Sequence, residues 1–324
     1  MKLQTKVNID KMGVLIRPDS KMCFLGSCFA THIGTRMMEV GLNAHVNPFG
    51  VLYNPISVAV ACDLMSGGHT ISKDSFFEDN GMWHSWLNDS SFSSESLESA
   101  LANVEKVCRK EHERLKTLDY LFITLGTNRY YELIDSGLVV SNCHKQPDRK
   151  FVEKQMTVDE VVNVLQQSLN KLWSVSPLLK VVITVSPYRY AKYGFHESQL
   201  GKAVLLLAVE ELCRRNQGKC MYFPAYEILL DELRDYRFYA EDMLHPSDVA
   251  VNYIWERFQE VCFSERTIDY MSQWLNVRKA LSHRPLHPES EAYQKFKEKA
   301  IAELKQLKEK YPHVEELTTY QVFE

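Results

Sequence analysis

Two pairs of residues in this chain have the types and the spacing that nucleophilic catalysis requires. Ser27 and Cys28 follow Gly26 directly, and Asp242 precedes His245 by three residues. A hydroxyl or a thiol attacks a carbonyl carbon when a histidine takes its proton, and a nearby carboxylate holds the imidazole in the required tautomer. These residue types therefore indicate acyl transfer through a covalent intermediate.

An acyl-transfer site also needs hydrogen-bond donors for the negative oxygen that forms during attack. Gly50 and Asn128 are the candidates, because they supply a backbone N–H and a side-chain amide. Losing one such donor removes about 3–4 kcal/mol of transition-state stabilisation. Each residue alone is more typical of a turn, so the prediction depends on all of them meeting at one place.

Five short segments rich in β-branched and aromatic residues are the predicted strands that position these side chains. The third and the fourth contain LFITL and VVITV, which are continuous apolar runs typical of parallel strands buried on both faces. The predicted strands are Met22–Leu25, Ala44–Asn47, Tyr120–Leu125, Lys180–Val185 and Cys220–Phe223.

Helical patterns fill the segments around the strands, and this alternation predicts a doubly wound, three-layer α/β/α sandwich. In such a sheet, ligands bind beyond the carboxyl ends of the strands, where the candidate residues lie. The predicted helices are Phe29–Val40, Ile56–Met65, Leu97–Leu115, Val158–Trp173, Gln199–Arg215 and Asp248–Phe263, the last with Ser247 as its N-cap.

From about residue 20 to about residue 290 the sequence resembles the GSCFA family, within the wider SGNH/GDSL-like hydrolase superfamily. The resemblance implies a flavodoxin-like sandwich with a five-stranded parallel sheet in the order 2-1-3-4-5. The motifs that carry it are GSCFA (Gly26–Ala30), NPFGVLYNP (Asn47–Pro55), TLGTN (Thr124–Asn128), NCHK (Asn142–Lys145), FPAYEI (Phe223–Ile228), DYRFYAEDMLHP (Asp235–Pro246) and SHRPL (Ser282–Leu286).

The resemblance also implies roles for individual residues. The superfamily's GxN block falls on Gly126 and Asn128, which makes Asn128 an oxyanion donor. Its DxxH block falls on Asp242 and His245, which makes His245 the base and Asp242 the residue that orients it. Gly50, after the second strand, is the candidate for the glycine block.

The nucleophile is where this sequence departs from the superfamily pattern. In a G-D-S turn the serine stands two residues after the glycine, and that position is Cys28 here. A shift of one residue at the strand end would present Ser27 instead. Spacing favours Cys28 and the chemistry of the superfamily favours Ser27, so both residues remain candidates.

Four further residues are candidates for substrate binding, each with a structural alternative. Arg189 follows the fourth strand, where it would clamp an anionic group or form a surface salt bridge. His144 would contact substrate or support the fold, and a metal pair with Cys143 is the less favoured interpretation. Trp83 and Trp86 would stack a sugar ring or pin the segment that carries them.

The domain organisation is predicted from changes in composition along the chain. Residues 1–290 form the hydrolase-like domain, interrupted at about 66–99 by a polar surface insertion with aromatic anchors, a candidate lid. Residues 291–324 form a C-terminal helical extension with a thin apolar stripe. We expect this helix to pack on the domain or on a partner.

Composition excludes several classes of protein. With 38 basic and 42 acidic residues among 324, the formal charge is −4. This charge does not indicate binding to nucleic acid or to an anionic membrane. No apolar run reaches the about 18 residues of a membrane span, and no signal peptide is recognisable. We therefore expect a cytoplasmic protein, unless a signal was trimmed. The eight scattered cysteines predict reduced thiols, and no motif predicts a metal or a nucleotide cofactor.

Three hypotheses for function follow from these residues. The first is an esterase or deacylase that acts on an acyl ester, with an O-acylated carbohydrate as the preferred class by analogy. The second is an acyltransferase in polysaccharide modification that uses the same site. The third is a glycan-binding module without catalysis, for which a buried Cys28 and a His245 bonded elsewhere would be the signs.

Overall fold

The five apolar segments form one central parallel sheet. The structure is a computed structural model, and it describes residues 4–9, 13–68, 71–283, 286 and 289–314. The strands of the molecule are β1 (Lys21–Gly26), β2 (Asn43–Val46), β3 (Phe76–Asp79), β4 (Met82–Ser85), β5 (Tyr120–Leu125), β6 (Arg129–Leu133), β7 (Val139–Val140), β8 (Phe151–Gln155), β9 (Lys180–Val185) and β10 (Cys220–Tyr222). The order β2-β1-β5-β9-β10, all parallel, confirms the predicted 2-1-3-4-5 sheet.

The helices cover both faces of this sheet and complete the three-layer α/β/α sandwich. They are α1 (Cys28–Glu39), α2 (Pro55–Ser66), α3 (Leu97–Leu115), α4 (Val158–Val175), α5 (Phe195–Arg215), α6 (Ala225–Glu227), α7 (Asp248–Cys262), α8 (Glu265–Leu281) and α9 (Glu291–Lys310). Six of these match the predicted helices closely, and Ser247 caps α7 by accepting a hydrogen bond from the N–H of Ala250.

Two hydrophobic cores lie on opposite faces of the sheet. Alternate residues of a strand point to opposite faces, and Phe24 and Phe122 accordingly stack at 4.6 Å in one core. Their neighbours Leu25 and Ile123 lie in the other core, between the sheet and helices α2, α4 and α5. This alternation explains why the strands have continuous apolar sequences.

The polar segments outside the sandwich form two small antiparallel sheets that the sequence analysis did not predict. In the predicted insertion, β3 pairs with β4 as a hairpin. Between β5 and α4, the strands β6, β7 and β8 form a three-stranded sheet. The strands of this sheet mix half-buried residues such as Tyr130 with charged residues, and these strands lack the long apolar runs of the central strands.

The C-terminal part of the chain packs on the core around α1. Helix α8, to which the sequence analysis assigned no element, buries Tyr270 and Trp274. Leu307 of α9 joins the same core, followed by Tyr311. In the described residues the predicted C-terminal helix therefore lies against the rest of the fold. Arg284 and Pro285, inside the SHRPL motif, lie outside the described residues.

Candidate active site

A sharp turn joins β1 to α1 and presents the two candidate nucleophiles. Gly26 has φ +130°, and a Cβ there would lie 2.2 Å from the carbonyl oxygen of Thr124, so only glycine fits. The N–H of Gly26 donates to Oδ1 of Asn47 at 2.9 Å. Ser27 is then the N-cap of α1, and Cys28 is its first residue. The turn is thus held from both neighbouring strands.

Ser27 and Cys28 differ sharply in accessibility. Ser27 is 1 % exposed, and its Oγ has no hydrogen-bond partner among the described residues. Its N–H donates to the carbonyl oxygen of Thr124 at 3.1 Å. Cys28, by contrast, is only partly buried. Of the two, the thiol is the group that a substrate could reach.

Three tyrosines and one lysine surround the Cys28 thiol. Tyr53, Tyr188, Tyr190 and Lys202 all lie close enough to interact with it electrostatically. Burial raises the pKa of the thiol, whereas backbone N–H groups at the start of α1 and the charge of Lys202 lower it. Because burial dominates, the resting thiol is protonated and needs a base to become a nucleophile.

The Asp-x-x-His loop carries the predicted base, His245. Nδ1 of His245 lies 2.6 Å from Oδ2 of Asp242, and Oδ1 of Asp242 accepts from the N–H groups of Leu244 and His245 at 2.9 Å. The hydrogen bond with His245, followed by these backbone bonds, lowers the pKa of Asp242 to about 2. A charged carboxylate therefore fixes the imidazole through Nδ1, so that Nε2 is the nitrogen that could act as a base.

Tyr188 interacts with both the predicted base and the predicted nucleophile. The rings of Tyr188 and His245 lie 4.3 Å apart, and Tyr188 interacts electrostatically with both Asp242 and Cys28. His32, one turn after Cys28 on α1, also interacts with His245. Tyr188 thus lies near both the predicted nucleophile and the predicted base, at the carboxyl edge of the sheet.

Arg189 holds the loop that carries the base. Its Nη1 donates to the carbonyl oxygen of Met243 at 3.0 Å, and its N–H donates to that of Leu244 at 3.1 Å. The guanidinium also stacks on Phe195, 4.1 Å from the ring centre. These contacts lie within the protein, and the predicted clamp on an anionic substrate group remains a prediction.

The two predicted oxyanion donors have partners inside the protein. The N–H of Gly50 donates to the carbonyl oxygen of Asn47 at 2.9 Å. Asn128 is 2 % exposed, and its Nδ2 donates to the carbonyl oxygen of Met156 at 2.9 Å. The amide of Asn128 has a second hydrogen, whereas Gly50 has none to spare. Both roles remain predictions, and that of Gly50 requires the turn to rearrange.

Trp86 and His144 belong to an aromatic cluster that anchors the insertion. Trp86 is 5 % exposed and stacks on Phe77 at 3.8 Å. Nε2 of His144 lies 2.8 Å from the carbonyl oxygen of Ser85, and burial lowers the pKa of His144. Trp83 packs on the small core between the hairpin and α3. These contacts favour anchoring over sugar binding.

Sequence reasoning missed Lys202, Asn47 and the tyrosines around the thiol. Lys202 stands in an otherwise apolar helical run, GKAVLLLAV, which gives no sign that its charge is buried. Asn47 ends the second predicted strand and adopts φ +44°, a conformation that asparagine tolerates. Its place in the NPFG motif was the one available signal. Within the described ranges, no cluster of three or more histidine, cysteine or acidic side chains could hold a metal ion.

The chain belongs to the GSCFA family, whose model matches residues 21–258, and the model of a GSCFA domain protein C-terminal domain matches residues 274–319. No curated protein matches. One similar solved structure is an acetyl xylan esterase from the rumen bacterium Butyrivibrio proteoclasticus, at 11 % identity and a TM-score of 0.38. That match covers 76 % of this chain and 64 % of the esterase.

No helix in the described part of the chain combines the length and the apolar character needed to cross a membrane. All eight cysteines are free thiols.

Proposed function

We propose that the protein hydrolyses an acyl ester through a thioester on Cys28, with His245 as the base and Asp242 as the residue that orients it. The observation that supports the proposal is that Tyr188 packs on the imidazole of the Asp242–His245 pair and also interacts with the partly exposed thiol of Cys28. An O-acylated carbohydrate is the substrate class that we propose, by analogy with related hydrolases.

The reaction has two halves. Nε2 of His245 takes the thiol proton, and the thiolate of Cys28 attacks the ester carbonyl. The tetrahedral intermediate then collapses, His245 returns the proton to the leaving alcohol, and the acyl group stays on the sulfur. In the second half His245 takes a proton from water, and the resulting hydroxide attacks the thioester carbonyl. The intermediate then collapses to release the acid, and His245 returns the proton to the sulfur of Cys28. Asp242 stabilises the imidazolium that forms in each half.

A binding module without catalysis is less well supported. Such a module was expected to bury Cys28 and to engage His245 in other bonds. Instead Cys28 is partly exposed, and His245 bonds to the carboxylate that orients a catalytic imidazole.

The test is hydrolysis of p-nitrophenyl acetate by single variants. We expect Cys28→Ala and His245→Ala each to lose turnover, by about 10²–10⁴-fold for the histidine. Ser27→Ala should retain activity. Cys108→Ala is the matched control, because Cys108 is also a partly buried free cysteine but lies on α3. If Ser27→Ala loses activity while Cys28→Ala stays active, Ser27 is the nucleophile. Full activity in His245→Ala would contradict the proposed mechanism.

Adding an acceptor separates hydrolysis from acyl transfer. The same assay is run with and without an oligosaccharide, and the products are analysed by mass spectrometry. The proposal predicts free acid as the product in both cases. An acylated sugar that appears at the expense of free acid would instead identify an acyltransferase.

A further inference from the structure

Two cysteine thiols that the proposed function does not use lie in contact with each other. Sγ of Cys213 and Sγ of Cys220 are 3.7 Å apart and share a hydrogen bond. All eight cysteines lie in the described part of the chain, and this is the one pair of them joined by a sulfur–sulfur hydrogen bond. The sulfurs of a disulfide lie about 2.0 Å apart, so the two thiols would have to approach by less than about 2 Å to form one.

The turn between the two cysteines holds them together. Cys213 lies in the last turn of α5, and Cys220 is the first residue of β10. The N–H of Cys220 donates to the carbonyl oxygen of Asn216 at 2.9 Å, and the N–H of Asn216 donates to that of Leu212 at 3.1 Å. Gly218 has φ +80° in this turn, a conformation that favours glycine. Backbone hydrogen bonds therefore position the pair independently of the thiols.

The two thiols differ in exposure and in acidity. Cys213 is partly buried, whereas Cys220 is only 3 % exposed. The hydrogen bond with Cys220 lowers the pKa of Cys213, although burial and the charge of Glu210 act in the opposite direction. The same hydrogen bond, together with burial, raises the pKa of Cys220. Cys213 is therefore the thiol of the pair that a reagent from solution meets first.

We propose that Cys213 and Cys220 form a reversible disulfide when the protein meets a low-molecular-weight disulfide such as glutathione disulfide. In the first step the Cys213 thiolate attacks one sulfur of glutathione disulfide, whose S–S bond breaks to release one glutathione. In the second step the sulfur of Cys220 attacks Sγ of Cys213 and releases the second glutathione. The two thiol protons end on the two glutathione molecules, so one glutathione disulfide is reduced as the two cysteines are oxidised.

The disulfide would covalently link the end of α5 to β10, away from the candidate active site. Cys220 begins β10 at the amino edge of the sheet, whereas Cys28 follows β1 at the carboxyl edge. Helix α5 also carries Lys202, whose Nζ donates to the carbonyl oxygens of Gly126 and Ser186, both at 2.7 Å. Those carbonyls follow β5 and β9. In the oxidised protein α5 would therefore be fixed to both edges of the sheet.

The test exposes the folded protein to glutathione disulfide, blocks the remaining thiols with N-ethylmaleimide, and digests the protein with trypsin without reduction. Trypsin cleaves after Arg214, Arg215 and Lys219, so the two cysteines fall in separate peptides that a disulfide would join. We expect the joined peptides to exceed the glutathione adduct of Cys213 by about tenfold or more, because the second thiol is already in place. Dithiothreitol should separate them. If the joined peptides do not form, the proposal is overturned.

Single variants test the order of the two steps. Cys220→Ser removes the second thiol, so the glutathione adduct should accumulate on Cys213. Cys213→Ser should leave Cys220 unmodified, because Cys220 is buried. If Cys213 gains no adduct in Cys220→Ser, Cys213 is not the attacking thiol and the proposal fails.

Cys108→Ser is the matched control. Cys108 is also a partly buried free cysteine, but it lies on α3. Its substitution should leave the yield of joined peptides unchanged, and a loss of these peptides in Cys108→Ser would contradict the pairing of Cys213 with Cys220. These measurements need no ester turnover, so their outcome is independent of the proposed function of Cys28.

Discussion

The choice between Ser27 and Cys28 depends on what surrounds each side chain. The hydroxyl of Ser27 is buried without a hydrogen-bond partner among the described residues. The thiol of Cys28 is partly exposed. A buried hydroxyl that is not bonded to the base gains nothing from it, whereas a partly exposed thiol can meet a substrate carbonyl and is intrinsically the stronger nucleophile. The surroundings of the two side chains therefore favour Cys28 over Ser27 as the nucleophile.

Asp242 gives the first prediction at this scale. Its pKa of about 2 lies below the ordinary value near 3.9. The Asp242–His245 interaction therefore contributes to stability above about pH 4, and this contribution is lost as the pH falls through 2. We expect the Asp242 carboxyl, followed by ¹³C NMR, to titrate near pH 2.

In His245→Ala the midpoint of Asp242 should rise toward its ordinary value. The rise should be partial, because the N–H groups of residues 244 and 245 remain as donors. An unchanged midpoint would mean that the imidazole does not hold this carboxylate in solution.

At the scale of elements, two loops must be held in fixed positions relative to each other for the site to form. Asn47 binds both the turn before α1 and the helix itself, accepting from the N–H of Gly26 and donating to Oγ1 of Thr31, both at 2.9 Å. Arg189 binds the Asp-x-x-His loop beside Met243, whose φ of +59° marks a tight backbone turn. Neither residue has to touch substrate to affect catalysis.

Arg189→Ala should lower kcat by about tenfold to a hundredfold and leave KM nearly unchanged, because small displacements of a catalytic group reduce the rate. The measurement is ester kinetics together with a thermal melt. Arg237→Ala is the control, since Arg237 lies in the same loop region with its side chain 75 % exposed. A raised KM with an unchanged kcat would indicate that Arg189 binds substrate directly.

At the scale of the whole molecule, the insertion is attached to the sandwich through the second strand-end loop. Nδ2 of Asn88 donates to the carbonyl oxygen of Phe49 at 3.0 Å, and Trp86 is buried between Phe77 and Phe151. The hairpin thereby supports the loop that carries Tyr53 to the thiol. The aromatic residues of the insertion stabilise this attachment.

Trp86→Ala should lower the free energy of unfolding by about 3–5 kcal/mol, the usual effect of removing a buried tryptophan side chain. Urea denaturation measures it, and ester kinetics below the transition show whether KM changes. Unchanged stability with a raised KM would restore the sugar-stacking interpretation of Trp86.

The sequence predicted the sandwich well because its strands and helices carry strong local patterns. Continuous apolar runs identified β5 and β9, and the resemblance to a known family supplied the strand order, which the structure confirms. Helix α8 was missed although Tyr270, Met271 and Trp274 have helical spacing. The three-stranded sheet was missed because its strands are short and only half buried.

The site was less predictable, because its contacts join residues far apart in the chain. Local spacing placed Asp242 and His245 together, since they are three residues apart. The burial of Lys202 could not be predicted, because its partners Gly126 and Ser186 belong to two other elements. The partners of Gly50 and Asn128 likewise become visible only in three dimensions.

The most direct test of the central claim is to trap the acyl-enzyme. The protein is mixed with p-nitrophenyl acetate, quenched in acid within the first turnover, and digested for fragmentation by mass spectrometry. The account predicts one acetyl group as a thioester on Cys28, and none in Cys28→Ala. An acetyl group on Ser27, or no acetylated peptide while nitrophenol is released, would contradict it.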